Sequence, residues 1–220
     1  MSGRRSSSVY RVIVCFVSFS LLMAINADDR NGEVDDEHEF TYLKNSPKGP
    51  ENWGSLKTEW KLCSNGKSQS PINIIGEKVS VSSEIGTLKG NYKPAHAVLR
   101  NRGHDIMVEW NGDVMGMNLT GNTYNLLQCH WHMPSEHTIS GRGSNLEIHM
   151  VHKSSQGKFA VIAILYDLGR SDPFLDKVRT ASKEQIAKMR DVVHDGFENN
   201  ARPSQLLNNR VVSKYRQDIQ

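Results

Sequence analysis

Short apolar runs separated by turn residues dominate the middle of the chain. They are rich in Val, Ile, Met and aromatic side chains and are flanked by Gly or Asn, a pattern typical of β-strands joined by tight turns. Asn111-Gly112 and Gly121-Asn122 are the clearest turn signals. The pattern predicts a mainly β (α+β) fold built on an antiparallel sheet. The predicted strands are 97–100, 105–110, 114–119, 124–132, 146–152 and 159–166.

A single clear helical pattern follows these strands. Ser182 and Gln185 form a capping box, and Gly196 stands where a helix C-terminus is expected. Three apolar residues between them recur at helical spacing and therefore share one face. These residues are Ile186, Met189 and Val193. Residues 42–60 contain Pro and Gly breakers instead, so they are predicted to form a loop.

The first 27 residues have the pattern of a secretory signal peptide. Basic residues precede an apolar run over 12–25, and small and polar residues follow up to Ala27, after which cleavage is predicted. The run is short for a membrane-spanning helix, and an uncleaved anchor is the alternative. The predicted domain is therefore 28–220, with no membrane contact expected after cleavage.

Charge, cysteines and a sequon narrow the picture further. The chain has 27 basic and 24 acidic residues. Three arginines and no acidic residue lie in the leader, so the mature domain would be balanced. No basic patch stands out, so a nucleic-acid partner is not expected. Cys63 and Cys129 would remain in an oxidising compartment, and Asn118-Leu119-Thr120 is a candidate N-glycosylation site.

Histidines on two predicted strands carry the chemistry that the sequence suggests. Residues two apart in a strand share a face, so His130 and His132 lie together on the strand 124–132. His149 lies on the strand 146–152. If the two strands are neighbours, three imidazoles converge from a rigid sheet. A tetrahedral catalytic zinc needs three such ligands and one open position.

Two polar residues have the spacing of supporting hydrogen-bond acceptors. Gln128 lies two residues before His130, and Glu147 lies two residues before His149, each on the same face as its neighbour. A ligating histidine usually donates its other N–H to such an oxygen. Taken alone, however, either histidine motif is also typical of hydrogen-bonded structural histidines. We assign the remaining histidines of this region, His137 and His152, to that structural class.

Several ordered motifs resemble the α-carbonic anhydrase family, and its plant members in particular. Segments 128–138 and 146–152 look like the two halves of the family signature. Further motifs in family order are 49–54, 69–72, 101–105 and 195–203. The resemblance covers about residues 40–178 and again about 180–212. It implies the family's central, mostly antiparallel sheet with peripheral helices.

The resemblance also implies a zinc lyase that reversibly hydrates carbon dioxide to bicarbonate and a proton. His130, His132 and His149 would bind Zn²⁺, which activates the attacking water, an effect for which carbonic anhydrases are the reference case. His104 would be the proton shuttle, a role that suits an imidazole titrating near pH ~6.5. A surface loop histidine is the alternative.

Three further residues match functional positions of the family. Glu136 would be the gatekeeper carboxylate, which accepts a hydrogen bond from a threonine that in turn orients the nucleophile. Val151 and Val161 would line the apolar pocket for carbon dioxide. Without the resemblance, both would simply be predicted as core valines.

One family segment is missing from the chain. The Leu-Thr-Thr-Pro-Pro-Cys motif, which carries the orienting threonine, is absent between Val161 and Gln220. Judged by family length, several tens of residues are missing near Val178/Arg179. The missing segment supplies inner strands of the family's sheet, so the sheet is expected to be incomplete.

This loss has three expected consequences. Glu136 would lack its orienting partner, and losing one preorganised group typically lowers a rate by about 10²–10³. Cys63 would lack its disulfide partner, which typically costs about 2–5 kcal/mol. Cys129 would be a poor substitute, since it lies on the face opposite the ligands. Strand edges would also become exposed.

Two hypotheses therefore stand beside an active enzyme. The intact histidine triad favours the enzyme, whose small-molecule substrate would be carbon dioxide or bicarbonate. The missing threonine favours a non-catalytic zinc-binding carbonic-anhydrase-related protein, and an unstable product is the third hypothesis. The leader predicts a secretory or extracellular location. Some plant relatives are assigned to the plastid, so the chloroplast stroma is the alternative.

Overall fold

Extended segments make up most of the ordered structure. The computed structural model describes residues 12–17, 38–81, 89–168, 180–181, 183–193 and 197–214. The strands are β1 Val12–Val17, β2 Asn73–Ile74, β3 Val79–Val81, β4 Lys89–Tyr92, β5 Ala97–Asn101, β6 Ile106–Trp110, β7 Met115–Leu119, β8 Asn122–His132, β9 Thr138–Ile139, β10 Leu146–Ser154, β11 Phe159–Leu168, β12 Thr180–Ala181 and β13 Val212–Lys214. All six predicted strands are confirmed, with small shifts at their ends.

The helices are short and peripheral. They are α1 Trp53–Leu56, α2 Leu62–Asn65 and α3 Lys183–Arg190, with single 3₁₀ turns at Thr58–Trp60 and Gly76–Lys78. Helix α3 is the predicted C-terminal helix, whereas its predicted cap Ser182 and stop Gly196 lie outside the described residues. Among the helices that the structure describes, none has the length and apolar character needed to cross a membrane.

Nine of the described strands form one sheet, whose main path runs β1-β11-β10-β8-β6-β5. Neighbours on this path are antiparallel. β7 joins β8 to β4, and β12 makes a short parallel pairing with β11. Gly112 and Gly121 have positive φ angles of 107° and 79° in the predicted turns, a conformation that glycine adopts without a steric penalty. The mostly antiparallel sheet of the sequence prediction is therefore confirmed.

Exposed strand edges were expected, and the two ends of the sheet path differ from each other in this respect. β5 is one edge in the described part of the chain, and all five of its residues are exposed. At the other end of the path, β1 pairs with β11 from Val12↔Ile164 to Val17↔Phe159. Residues 12–17, inside the predicted leader, therefore satisfy backbone groups of β11. Leader cleavage itself stays a prediction.

Alternate residues of β8 and β10 face opposite sides of the sheet. Cys129, Trp131 and Ile148 belong to an apolar cluster. Ile186 and Met189 of α3 pack against this cluster. The three predicted zinc ligands, which alternate with the cluster residues along β8 and β10, face the other way. The cysteine predicted to lie opposite the ligands is thus buried in the core, and Cys63 and Cys129 are both free thiols.

The chain segment after the missing region is tied firmly to the loop before β2. Arg202 donates from its guanidinium to the Gln69 side chain at 2.9 Å, to the Ser70 carbonyl at 2.8 Å and to the Cys63 carbonyl at 2.9 Å. The Gln205 amide donates to the Pro71 carbonyl at 2.8 Å. These contacts hold residues 202–205 against residues 63–71.

His152 is one of the fully buried side chains of the sheet. Its Nδ1 lies 2.9 Å from the Met150 carbonyl, so this nitrogen donates, and its Nε2 accepts from the Tyr92 hydroxyl at 2.9 Å. Burial lowers the pKa of His152 to about 4 and raises the pKa of Tyr92 to about 12. Both groups are therefore held neutral, which agrees with the structural role predicted for His152.

Replacing His152 with Gln should make the free energy of unfolding less dependent on pH. The folded-state pKa of about 4 lies below the unfolded value of 6.5. The stability contributed by the neutral ring is therefore complete above pH ~6.5 and is lost as the pH falls towards 4. One such proton gives a slope of up to about 1.4 kcal/mol per pH unit.

Urea denaturation at pH 7 and pH 5 measures this dependence. The decrease in the free energy of unfolding from pH 7 to pH 5 should be larger for the wild type than for His152→Gln. His96→Gln, which replaces an exposed histidine, should behave as the wild type. Equal losses in the wild type and His152→Gln would contradict the assignment.

Candidate metal centre

Three imidazoles converge where β8 and β10 pair. The antiparallel register puts His149 directly opposite His130, and Glu147 opposite His132. The ring centroids are 5.0 Å apart for His130 and His132, 5.2 Å for His130 and His149, and 4.6 Å for His132 and His149. The two strands predicted to be neighbours are neighbours, and their register brings the three predicted ligands together.

The predicted acceptors hold two of these rings. His130 Nδ1 lies 3.0 Å from Gln128 Oε1, and His149 Nε2 lies 2.7 Å from Glu147 Oε1. Gln128 and Glu147 are both fully buried. In each pair the histidine N–H donates to the oxygen, which fixes the tautomer and the rotation of the ring. The spacing of two residues on one strand face therefore predicted both contacts.

The third ring is held by a residue that sequence analysis did not assign to the site. His132 Nδ1 donates to the main-chain carbonyl of Asn200 at 2.7 Å. The Asn200 side chain accepts from the Met133 amide at 2.7 Å and donates to the carbonyls of His104 and Trp131 at 2.9 and 3.0 Å. The resemblance of residues 195–203 to a family motif was the one sequence signal that included Asn200.

Glu147 holds a second histidine besides the candidate ligand His149. Its carboxylate also accepts from the His137 amide at 2.8 Å and from His137 Nδ1 at 2.6 Å. Burial acts to raise the pKa of Glu147, but the hydrogen bonds from His137 and His149 outweigh it and hold the pKa far below the ordinary value. The carboxylate is therefore ionised, and His137 has the structural role predicted for it.

The surroundings shift the pKa values of two candidate ligands in opposite directions. Burial lowers the pKa of His130 well below its ordinary value, and the neighbouring His132 and His149 lower it further. Burial also acts to lower the pKa of His132, but Glu136 and the Asn200 carbonyl outweigh it and raise the value. A neutral His130 offers the lone pair that a metal requires.

The donor set fits zinc. Hydrogen bonds engage Nδ1 of His130, Nδ1 of His132 and Nε2 of His149, so the opposite nitrogen of each ring is the one that could face a metal. The candidate ligand atoms of the three residues lie within 4.8 Å of one another. Three nitrogen donors with held outer edges are typical of a catalytic zinc site with one open position.

Comparison with known proteins identifies the family. A sequence profile described as eukaryotic-type carbonic anhydrase matches residues 48–178. Alpha carbonic anhydrase 7 of Arabidopsis thaliana is 36% identical over 272 residues, covering 98% of this chain and 99% of the relative. The chain belongs to the α-carbonic anhydrase family. Members of this family, the carbonate dehydratases, catalyse the zinc-dependent hydration of carbon dioxide.

Solved structures of the α-carbonic anhydrase type share this fold. Dioscorin in complex with ascorbate is 32% identical, with a TM-score of 0.75, and the match covers 79% of this chain and 96% of that one. The α-carbonic anhydrase of Thermovibrio ammonificans with sulfanilamide is 26% identical, with a TM-score of 0.69 and coverage of 80% and 98%. The fold predicted from the family resemblance is therefore confirmed.

The alignments also bear on the missing segment. The comparison with the Arabidopsis relative spans 272 positions, whereas this chain has 220 residues, so more than 50 positions have no counterpart here. The family profile ends at residue 178, next to the predicted break at Val178/Arg179. Residues 169–179 lie outside the described residues. The place of these unmatched positions is not given by the alignment length, so an internal break at Val178/Arg179 stays a prediction.

Glu136 has a different partner from the one that the family motif supplies. Its Oε1 accepts from the Arg202 amide at 2.8 Å and lies 3.7 Å from His132 Nδ1. The longer distance is an electrostatic contact rather than a hydrogen bond. Glu136 therefore lies beside the cluster, bound to the segment that follows the missing region.

The two valines assigned to the substrate pocket lie opposite each other in the sheet. Val151 of β10 pairs with Val161 of β11. Val151 is buried and, two residues after His149, shares its face by strand alternation, whereas Val161 is partly exposed. Their place beside the cluster agrees with an apolar wall, and their role in substrate binding stays a prediction.

His104, the predicted proton shuttle, is buried, with 5% of its surface exposed. Its ring packs against Phe40 at a centroid distance of 5.3 Å and against Phe197 at 6.0 Å. Its carbonyl accepts from the Asn200 side chain, which also braces His132 through its main chain. The structure thus brings His104 near the cluster through Asn200, and its shuttle role stays a prediction.

Replacing Asn200 with Ala should weaken zinc binding. The variant loses the side-chain hydrogen bonds that fix the carbonyl on which His132 depends, and removal of such supporting contacts typically lowers metal affinity about 10–100-fold. Competition with a chromophoric chelator measures the affinity. Asn199→Ala changes an exposed neighbour of the same residue type and should bind zinc as the wild type does. An unchanged affinity for Asn200→Ala would show that the carbonyl does not need this side chain.

Proposed function

We propose that this chain is a zinc-binding carbonic anhydrase that hydrates carbon dioxide to bicarbonate and a proton, at a rate lowered by the missing segment. His130, His132 and His149 would hold the Zn²⁺. The observation that supports this most directly is that the outer nitrogen of each ring is engaged by a buried acceptor, which leaves three converging nitrogens. When bound, zinc lowers the pKa of a coordinated water, as carbonic anhydrases exemplify.

The residues around the cluster would divide the remaining work. Val151 and Val161 would form an apolar wall beside carbon dioxide. Such a wall has no hydrogen-bond donors that would bind the oxygens of the substrate. The buried Glu147 carboxylate and the Gln128 amide oxygen keep His149 and His130 in fixed orientations, so no reorganisation of the ligands is needed during the reaction. His104 would carry the released proton towards solvent.

Glu136 is where a reduced rate is expected. Its carboxylate accepts from the Arg202 amide, and the chain has no Leu-Thr-Thr-Pro-Pro-Cys motif between Val161 and Gln220 to supply the family's threonine. The orientation of the attacking oxygen would then depend on the ligand cage alone. Loss of one preorganised group of this kind typically lowers a rate by about 10²–10³.

Stopped-flow hydration of carbon dioxide on the full 220-residue chain, with zinc content measured on the same sample, tests this function. We expect one zinc per chain and a measurable rate that sulfanilamide, the inhibitor bound in the Thermovibrio structure, abolishes. His130→Ala should lose both zinc and activity, whereas His96→Ala, at an exposed position, should keep both. Absence of zinc from a folded wild-type chain would overturn the proposal.

Replacing Glu136 with Gln should change the hydration rate by less than about tenfold, because the group that it would orient is missing and the amide oxygen can still accept from the Arg202 amide. The measurement is kcat by stopped flow, with zinc content as the control for site integrity. A fall of about 10²–10³ would mean that another hydroxyl has taken the place of the missing threonine.

A non-catalytic binding protein is the second candidate. Dioscorin DB3L of Dioscorea polystachya is 47% identical over 140 residues, and the dioscorin structure was solved with ascorbate. Loss of the segment favours this candidate, because the lost motif carries the orienting threonine whereas the three histidines are still present. Zinc bound without hydration, together with saturable ascorbate binding by calorimetry, would support it over the enzyme.

We further propose that the chain enters the secretory pathway, with the plastid as the alternative, and that Asn118 carries an N-glycan. The pattern of residues 1–27 supports the first. Asn118 is exposed on β7, which supports the second. Amino-terminal sequencing and glycosidase treatment of the protein secreted from plant cells would test both, and an intact N-terminus at Met1 would contradict cleavage after Ala27.

A further inference from the structure

The predicted proton shuttle lies in a small aromatic cluster rather than at the surface. Three rings, those of Phe40, His104 and Phe197, form a triangle. The ring centroids are 5.3 Å apart for Phe40 and His104, 6.0 Å for His104 and Phe197, and 5.7 Å for Phe40 and Phe197. His104 is 5% exposed and Phe197 is 3% exposed. A ring enclosed in this way cannot exchange a proton with a buffer base without moving.

The main chain on either side of His104 is also held. Arg102 and Asp105 are joined by a buried ion pair, with Nε 2.8 Å from Oδ1, and the Arg102 amide donates to the Asp105 carbonyl at 3.0 Å. The His104 carbonyl accepts from the Asn200 side chain at 2.9 Å. Because the backbone is fixed on both sides, His104 can reach solvent only by rotation of its side chain.

Phe40 is the member of the triangle that comes from the N-terminal part of the chain, before the first helix. It lies in the N-terminal loop and also makes edge contacts with Tyr42, Trp53 and Trp60 at 5.8, 5.6 and 6.4 Å. Trp53 Nε1 donates to the Thr41 carbonyl at 3.1 Å, which ties the loop down beside Phe40. Phe40 is thus anchored by its own neighbours while it covers His104.

We propose that Phe40 and Phe197 are positioning residues that clamp the His104 ring in its enclosed position, so that opening of this clamp limits proton release. The proposal rests on the proposed function for its effect on rate. In each turnover His104 accepts one proton from water in the site and gives the same proton to a buffer base, returning to the neutral form. The second transfer requires the His104 ring to become accessible to the buffer base.

Chemical modification tests the clamp without any need for activity. The full chain is treated with diethyl pyrocarbonate, and carbethoxylation of each histidine is followed by mass spectrometry. His104 should react slowly and the exposed His38 and His96 quickly. Phe40→Ala should raise the rate at His104 by roughly tenfold, since removal of the ring opens a path to solvent.

Matched variants separate the clamp from general loosening of the fold. Leu43→Ala changes a 54% exposed residue of the same loop and should leave the His104 rate unchanged. Phe40→Leu keeps most of the buried volume if Phe40→Ala unfolds, and should still raise that rate. A wild-type His104 that reacts as fast as His96, or a Phe40→Leu rate equal to the wild type, would overturn the clamp.

Kinetics test whether the clamp limits proton release. At low buffer concentration Phe40→Leu should raise kcat by roughly threefold with kcat/KM unchanged, because opening of the cover precedes proton transfer. The gain should disappear in a Phe40→Leu, His104→Ala double variant. Parallel changes in kcat and kcat/KM would overturn this part. A wild type with no hydration would instead refute the proposed function, while the modification experiment would still decide the clamp.

Discussion

The pairing of β8 with β10 is the constraint on which the site depends. A strand alternates its side chains, so one register places His149 opposite His130 and puts all three imidazoles on one face. A slip by one residue would turn His149 into the apolar cluster of Trp131 and Ile148 and bring core residues to the metal side. The same hydrogen-bonded ladder therefore specifies both the core and the ligand cage, and the core on one face protects the geometry on the other.

The site also depends on a segment far along the chain. Asn200 follows the missing region, yet its carbonyl orients His132 and its side chain reaches the carbonyls of His104 and Trp131. Arg202, two residues later, supplies the amide that Glu136 accepts. The contacts to His132 and Glu136 join the C-terminal segment to residues at or just after the end of β8. The ligand cage is therefore completed by a residue that lies 68 positions from His132 in the sequence.

Strand periodicity made part of this site predictable. Gln128 and Glu147 could be assigned because each lies two residues from a ligand on the same strand, where local geometry fixes direction. Asn200 and Phe40 could not, since their contacts join residues distant in sequence and follow no periodic pattern. The burial of His104 was missed for the same reason, because it depends on Phe40 and Phe197, which come from opposite ends of the chain. The pairing of β1 with β11 was not predicted, because the apolar run that contains β1 also has the pattern of a signal peptide.

The six residues of β1 would have two incompatible roles if the leader is cleaved as predicted. Val12–Val17 closes the β11 edge in the full chain, whereas a peptidase that cuts after Ala27 would carry the same strand away and leave the backbone groups of β11 without it. Maturation and completion of the sheet would then compete for one stretch of polypeptide. The order in which folding and processing occur would decide which sheet the finished protein has, so an export signal would also act as a temporary part of the architecture.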